Sequence, residues 1–183
     1  MGPYAVQDLS GLDIAWAGRQ RMKVKERDDW AYVPIADRMV EEAKRLGRKS
    51  GAGWYDYTDG KAAPSPAVEA LIRDASQTAG IDRRAVGQGE IRRRALAAMV
   101  QEATRLLEEG IAARPSDVDL VLVHGYGFPR WRGGPMHWAD AEGLKLVAAT
   151  IDGLAVKDPR TWRVPPLLRR LAAEGGRFAD LNG

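Results

Sequence analysis

Apolar residues between positions 90 and 110 recur at the three- and four-residue spacing of an amphipathic helix. The pattern predicts a helix over residues 90–110 whose buried face is formed by Ile91, Ala95, Met99, Ala103, Leu106 and Leu107. Gly110 is a typical C-terminal stop, because glycine adopts the left-handed conformation that ends many helices. We therefore expect one long helix in this part of the chain.

A second, shorter helix is expected directly after Arg114-Pro115. Ser116 followed by Asp119 approximates a capping box, which predicts Ser116 as the N-cap. The helix would end at His124-Gly125, and its apolar bulk would come from Val118, Leu120, Val121 and Leu122.

Two further helices are predicted nearer the N-terminus. Residues 35–46 form an amphipathic pattern through Met39, Val40, Ala43 and Leu46, and Pro64-Ser65-Pro66 opens a helix over about residues 66–79. Residues 80–89 are typical of a linker. Because no strong alternating pattern indicates a strand, we expect an all-α fold.

Residues 2–12 and 134–144 are similar to each other. Five of the eleven positions are identical at a constant offset, namely Gly2/Gly134, Pro3/Pro135, Asp8/Asp140, Gly11/Gly143 and Leu12/Leu144. A Gly-Pro pair starts a helix because proline fixes the backbone of the first turn, and the Gly-Leu pair supplies a turn followed by an apolar anchor. The pattern indicates two related repeats.

The two repeats differ in what precedes the Gly-Pro pair. The second has a long helix and a shorter helix upstream, whereas the first begins at Met1-Gly2-Pro3. We therefore expect a truncated first repeat over residues 1–63, a connecting helix and linker over 64–89, and a second repeat over 90–183. The missing helices would have been lost from this product or would lie on another polypeptide.

Composition narrows the class of protein. Cysteine is absent from the 183 residues, which excludes disulfides and cysteine-based sites. The net charge of +3 comes from interspersed charges, and the six tryptophans do not form one platform despite the Arg130-Trp131-Arg132 triplet. No signal peptide, bilayer-spanning run or Ser-Lys-Leu terminus is present. We expect a cytoplasmic protein that binds neither nucleic acid nor membrane.

Glycine-rich segments do not match nucleotide-binding motifs. In residues 47–51 Arg48 separates Gly47 from Lys49, and a predicted helix rather than a strand precedes the loop, so a triphosphate cradle is disfavoured. The Gly-x-Gly stretches at 51–53 and 125–127 lack the third glycine of a dinucleotide fingerprint and lie outside any βαβ unit. We interpret both as turns.

Polar residues that could carry chemistry also have simpler roles. His124 and His137 are the two histidines. Neither has a second potential ligand at the spacing of a metal site, and no nucleophilic serine motif of the Gly-x-Ser-x-Gly type is present. We expect His124 to be a capping or interface residue and His137 to be partly exposed. Asp8 and Asp140 occupy equivalent repeat positions, so a structural role in each copy is expected.

Three stretches, residues 1–14, 45–57 and 102–144, together resemble the C-terminal domain of 3-hydroxyacyl-CoA dehydrogenases, with residues 102–144 resembling a second copy. Tandem copies are typical of the multifunctional β-oxidation proteins. The resemblance implies that a separate Rossmann domain binds NAD and supplies a catalytic His–Glu pair, and that a long helix contributes an Asn. Arg93 stands at that Asn position in the second repeat.

The resemblance implies no catalytic, cofactor-binding or metal-binding residue in this chain and places Met1, Gly2 and Pro3 near the acyl-CoA substrate. NAD would belong to the parent enzyme, and the repeats could form a homodimer. The leading hypothesis is the helical part of a 3-hydroxyacyl-CoA dehydrogenase that is inactive alone. A stand-alone helical module docking on a separate Rossmann subunit is the alternative, and nucleic-acid binding is a remote one.

Overall fold

The computed structural model describes residues 2–27 and 32–183. The chain divides into two compact units, a first unit that ends at Ala85 and a second unit from Val86 to Gly183. The described part of the first unit contains α1 (Pro3–Ser10), α2 (Leu12–Arg21), α3 (Ile35–Glu41), β1 (Tyr55–Thr58), β2 (Lys61–Pro64) and α4 (Pro66–Thr78). The second unit contains α5 (Gln88–Glu108), α6 (Pro115–Gly125), α7 (Pro135–Glu142), α8 (Leu144–Ala155) and α9 (Pro166–Glu174).

Proline defines the start of many of these helices. It occupies the first turn of α1, α4, α6, α7 and α9, where its missing N–H costs nothing and its fixed φ suits the helix. The all-α class is confirmed, since the strands in the described residues form only one antiparallel pair.

That strand pair was not expected from the sequence. Tyr55 pairs with Pro64 and Thr58 with Lys61. The turn consists of Asp59 and Gly60, which have φ values of 49° and 75°. Asp-Gly is favoured where both turn residues need positive φ, so this dipeptide was a readable hairpin signal.

The helix expected over residues 35–46 is shorter than predicted, because α3 ends at Glu41. Met39 and Val40 are buried as expected, whereas Ala43 is exposed. Lys44 takes a left-handed φ of 53° and turns the chain back. The next residue, Arg45, is buried and donates to Gly53 O and the Asp56 carboxylate, contacts that a continued helix would not allow.

The long helix α5 exists, but its predicted face is only partly right: Ala103 is buried and Leu107 packs against the core, whereas the predicted residues nearer the N-terminus are exposed. Ile91 is 56 % exposed and Met99 is 39 % exposed. The buried stripe instead contains Leu96, Ala97, Val100, Gln101, Ala103 and Thr104, onto which α7, α8 and α9 pack. This stripe was hard to recognise in the sequence because Gln101 and Thr104 are polar. Their polar groups are hydrogen-bonded within the unit: the Gln101 amide donates to Thr161 O and accepts from Arg163 N–H, and the Thr104 hydroxyl donates to Val100 O.

Helix α6 ends at Gly125 as predicted, but its start differs. Arg114 occupies the N-cap position without a side-chain cap, Pro115 is the first helical residue, and Ser116 lies inside the helix. Leu120 and Val121 are both more than half exposed, so much of the expected apolar bulk faces away from the core.

Each unit has its own apolar core. In the first unit Leu12, Met39, Val40 and Val68 are buried together. The larger core of the second unit includes Val100, Met136, Ile151, Leu168 and Phe178. The Gly-Pro helix α7 contributes Met136 and Ala139 to the core of the second unit.

Candidate functional site

The Gly-Pro helices have the same local construction in both units. Pro3 and Pro135 occupy the first turns of α1 and α7. After each helix a glycine, Gly11 with φ 99° or Gly143 with φ 97°, turns the chain into the next helix. Leu12 and Leu144 then enter the cores. This confirms the construction predicted from the repeated pattern.

Asp8 clamps the loop that precedes the hairpin. Its carboxylate, 1 % exposed, accepts from Trp54 N–H at 2.8 Å, Tyr55 N–H at 3.1 Å and Tyr57 O–H at 2.9 Å. Burial and the hydrogen bond to Asp8 raise the pKa of Tyr57. A side chain at Gly53 would overlap the Asp8 carboxylate, so only glycine fits there.

Asp140 performs the same task in the second unit. Its two carboxylate oxygens accept from Phe178 N–H at 2.8 Å and Ala179 N–H at 2.9 Å. The repeated carboxylates are therefore structural in both copies, as expected, because their acceptor capacity is used by backbone donors.

Asp119 secures the start of α7, a role that the sequence did not reveal. Its carboxylate oxygens accept from Met136 N–H at 2.7 Å and His137 N–H at 3.0 Å. These donors lie in the first helical turn, which has no internal acceptor for them. Burial raises the pKa of Asp119, partly offset by the same two bonds. A side chain at Gly134 would overlap this carboxylate.

No carboxylate of the described residues accepts from the first turn of α1. Gly2 and Pro3 are exposed, and no residue in the ranges 2–27 and 32–183 accepts from Tyr4 N–H or Ala5 N–H. The Tyr4 ring lies 4.5 Å from that of Trp54, centroid to centroid. Met1, the third residue expected near the substrate, lies outside the described residues.

The two histidines lie on the surface of the second unit. Both are exposed, and the described contact of His124 is with the Arg130 guanidinium at 3.5 Å. His137 borders a cleft of about 390 Å³ whose lining also includes Asp119 and Asp140, the two carboxylates already bound to backbone N–H groups. Arg93, at the Asn position of the family, is exposed on α5.

A second buried carboxylate cluster also escaped sequence reasoning. Asp37, 1 % exposed, accepts from Arg19 Nε at 2.6 Å and Tyr32 O–H at 2.8 Å. It lies on the buried side of α3 next to Met39 and Val40. The sequence pattern did not predict that Asp37 is buried, because burial of an acidic residue depends on hydrogen-bond partners from other parts of the chain.

Neither glycine-rich segment fits a nucleotide. Over residues 48–50 the polar groups bind the protein itself: Arg48 donates to Gly60 O, Lys49 pairs with Asp13, and Ser50 Oγ donates to Gly47 O. A dinucleotide site needs a glycine-rich turn between a parallel strand and a helix. The strands of the described residues are antiparallel, so these residues do not fit NAD.

Two further searches covered the described residues. They contain no group of three or more His, Cys, Asp or Glu side chains placed to hold a metal ion. They also contain no helix with the length and apolar character needed to span a membrane.

Comparison with known proteins agrees with this geometry. The model of the family "3-hydroxyacyl-CoA dehydrogenase, C-terminal domain" matches residues 1–57 and 89–180. The peroxisomal bifunctional enzyme of Cavia porcellus is 36 % identical over 191 residues, covering 96 % of this chain and 26 % of that protein. The fatty acid oxidation complex subunit alpha of Pseudomonas entomophila is 32 % identical over 183 residues, covering 97 % of this chain and 25 % of that protein.

A solved structure is also similar. The crystal structure of the dehydrogenase part of multifunctional enzyme 1 from C. elegans matches with a TM-score of 0.70 and 26 % sequence identity, covering 93 % of this chain and 38 % of that one. The chain spans about a quarter of the length of the curated relatives. Both the sequence match and the fold show that the chain belongs to the family of 3-hydroxyacyl-CoA dehydrogenase C-terminal domains.

Proposed function

We propose that this chain is the helical part of an NAD-dependent 3-hydroxyacyl-CoA dehydrogenase of fatty-acid oxidation. The observation that carries the proposal is the Gly-Pro helix with its buried Asp, built in the same way in both units, together with the family match over both. The names of two relatives, a peroxisomal bifunctional enzyme and the alpha subunit of a fatty acid oxidation complex, support the proposal.

In this proposal the chain supports the acyl-CoA pocket and the packing of domains. The exposed Gly2 and Pro3 border the substrate, and Met1 is assigned there with them. NAD and the general base are supplied by a separate Rossmann domain, as the resemblance to the dehydrogenases implies. The chain alone therefore oxidises no 3-hydroxyacyl-CoA.

The second unit has a supporting role in the same proposal. An exposed arginine at position 93 cannot reproduce an amide's dual donor and acceptor capacity. Assembly as a homodimer through the helical repeats and a cytoplasmic location remain predictions; the names of four relatives specify peroxisomes instead.

A chimera tests the proposal. The segment of the guinea-pig relative that matches this chain is replaced by this chain, and oxidation of an (S)-3-hydroxyacyl-CoA is followed by NADH absorbance. We expect a chimera that folds, as judged by circular dichroism, to retain activity, and Arg93→Ala to leave it unchanged. A folded but inactive chimera, or robust turnover by the isolated chain, would contradict the proposal.

The substrate assignment has its own readout. In the active chimera a photoreactive acyl-CoA analogue should label the peptide containing residues 1–10, and labelling should be suppressed by excess acetoacetyl-CoA. Labelling confined to residues 134–142 would remove Met1, Gly2 and Pro3 from the pocket. Calorimetry of the isolated chain should show no heat with NAD.

The alternative, a helical module that docks on a separate Rossmann subunit, is favoured by one observation: Tyr4, Val6 and Leu9 of α1 are about half exposed. Mixing the chain with a separately expressed Rossmann domain distinguishes the two cases. Dehydrogenase activity that depends on the chain's concentration supports docking in trans, whereas activity only in the covalent chimera supports a single polypeptide.

A further inference from the structure

The second unit contains another cleft, which shares no lining residue with the one beside His137. It has a volume of about 340 Å³, and its lining comes from α5, α6 and the segment between α6 and α7. The residues that matter for its chemistry are two arginines and four apolar residues, namely Arg92, Arg132, Leu96, Met99, Leu122 and Phe128. We call it the Arg92–Arg132 cleft.

The apolar part of this cleft is only partly covered by the protein. Leu96 and Phe128 are each 7 % exposed, whereas Met99 is 39 % exposed and Leu122 is half-buried. The sequence pattern placed Met99 and Leu122 among the buried residues, and both instead line the cleft. Their apolar surface is therefore available to a ligand.

The segment that follows α6 is fixed by backbone hydrogen bonds. Tyr126 N–H and Phe128 N–H both donate to Leu122 O, at 3.2 and 3.0 Å, and Arg132 N–H donates to Pro129 O at 2.9 Å. These bonds hold Phe128 and Arg132 in place relative to α6. The cleft is thus formed before any ligand enters, as is usual for small-molecule sites.

The charge of the lining is positive. Arg92 and Arg132 are its charged residues, and no Asp or Glu lines it. Neither arginine forms an ion pair with a residue in the ranges 2–27 and 32–183, whereas Arg94 on the same helix pairs with Glu90 at 2.6 Å. The Arg132 guanidinium carbon lies 4.2 Å from the centre of the Trp131 ring. Stacking on a ring orients a guanidinium and leaves its N–H groups able to donate.

We propose that the Arg92–Arg132 cleft binds a small organic anion with an apolar body. The apolar body contacts Met99 and Leu122, which removes their surface from water. The anionic group accepts from the guanidinium N–H groups of Arg132 and Arg92, which suit the geometry of carboxylates. This inference does not depend on the proposed dehydrogenase function.

The cleft beside His137 provides a contrast within the same unit. It has a similar volume, about 390 Å³, and also combines apolar residues with an arginine, Arg130. However, the carboxylates of Asp119 and Asp140 line it as well, and their negative charge disfavours an anion. Met136 lies in that cleft and Met99 in the Arg92–Arg132 cleft, so methionine methyl groups report on the two separately.

The experiment titrates the full chain, labelled with ¹³C at the methionine methyl groups, with 4-phenylbutanoate and records NMR spectra. We expect saturable shifts of the Met99 methyl signal and none of the Met136 signal. Butanoate, which has the charge without the large apolar body, and 4-phenyl-1-butanol, which has the body without the charge, should each bind at least about tenfold more weakly.

Four arginine variants separate the cleft from general positive charge. Arg92→Gln and Arg132→Gln should each weaken binding of 4-phenylbutanoate by about tenfold and leave binding of the alcohol unchanged. The matched controls are Arg93→Gln on α5 and Arg130→Gln beside Trp131, two arginines outside the lining. Both controls should keep the affinity of the unchanged chain, and the methyl spectrum of each variant shows whether it is folded.

Several results would overturn the proposal. These are an unshifted Met99 signal, equal affinity for the anion and the alcohol, and affinity that survives both Arg92→Gln and Arg132→Gln or is lost equally in the controls. The folded chimera described above gives a further test. If 4-phenylbutanoate shifts Met99 in the isolated chain but not in the chimera, another part of the enzyme fills the cleft, and the assignment to a small anion is wrong.

Discussion

Three buried or half-buried aspartates hold loops or helix starts by accepting backbone N–H groups. Asp8, Asp119 and Asp140 each bind two such donors, and Asp8 also accepts from the Tyr57 hydroxyl. A carboxylate out of water is stable only when its oxygens are hydrogen-bonded. These residues therefore stabilise the structure.

Asp8→Asn should destabilise the first unit. An amide keeps one acceptor oxygen and turns an NH₂ group towards a donor, so we expect a loss of about 1–3 kcal/mol in the free energy of unfolding. Urea unfolding followed by circular dichroism measures it. The matched control is Glu69→Gln, which removes an exposed pair with Arg73 on α4 and should change stability little.

The same variant has a spectroscopic readout. Because the Asp8 carboxylate adds to burial in raising the pKa of Tyr57, removal of its charge should lower the pKa of Tyr57 towards the ordinary value. Titration of the tyrosine absorbance of the folded variant measures this pKa. The Tyr57→Phe variant gives the titration of the other tyrosines alone, so that the contribution of Tyr57 can be separated. An unchanged Tyr57 titration would contradict the role given to Asp8.

Helices α1 and α7 show that similar sequences acquire different surroundings. Both start with Gly-Pro and end at a glycine of positive φ. However, Gly134 has φ 113° whereas Gly2 has φ −78°, and the Asp119 side chain of α6 lies directly against Gly134. The shared glycine thus has a different backbone conformation in the two helices.

Alanine substitution at the two glycines tests this difference between the helices. Gly134→Ala should cost about 1–3 kcal/mol, because it disrupts the Asp119 cap and strains a residue of positive φ. Gly2→Ala, its exact counterpart in the repeat, should leave stability unchanged because its Cβ meets open space. Differential scanning calorimetry of the two variants side by side measures the contrast. Equal effects would show that Asp119 does not distinguish the helices.

At the scale of the whole molecule, the two units have cores of unequal size. Among residues 2–27 and 32–183, the core of the second unit includes fifteen buried residues, whereas that of the first unit includes four. Because hydrophobic stabilisation follows the buried apolar area, we expect the second unit to be the more stable of the two.

Ile151→Ala tests whether the cores are separate. Ile151 is fully buried in α8, so its truncation should cost about 2–4 kcal/mol. Amide exchange should accelerate in α5 and α8, while Leu12 and Met39 in the first unit keep their protection. Val156→Ala, at a position 84 % exposed, is the control and should have little effect. Accelerated exchange at Leu12 as well would contradict separate cores.

The starts and stops of the helices could be read from the sequence. Pro3, Pro66, Pro115 and Pro135 mark where helices begin, and Gly11, Gly110 and Gly143 mark where they end. These signals are local, because each depends on the φ that a single residue allows. For the same reason the Asp59-Gly60 turn was readable, although it was missed.

By itself, the sequence determined the helical class, the repeat of the Gly-Pro helix and the structural nature of Asp8 and Asp140. Only the tertiary structure decided which face of α5 is buried, why α3 ends at Glu41, and that Asp119 serves α7 instead of its own helix. Those outcomes depend on partners distant in the chain, since a buried polar group is tolerated only where a donor or acceptor from another element meets it.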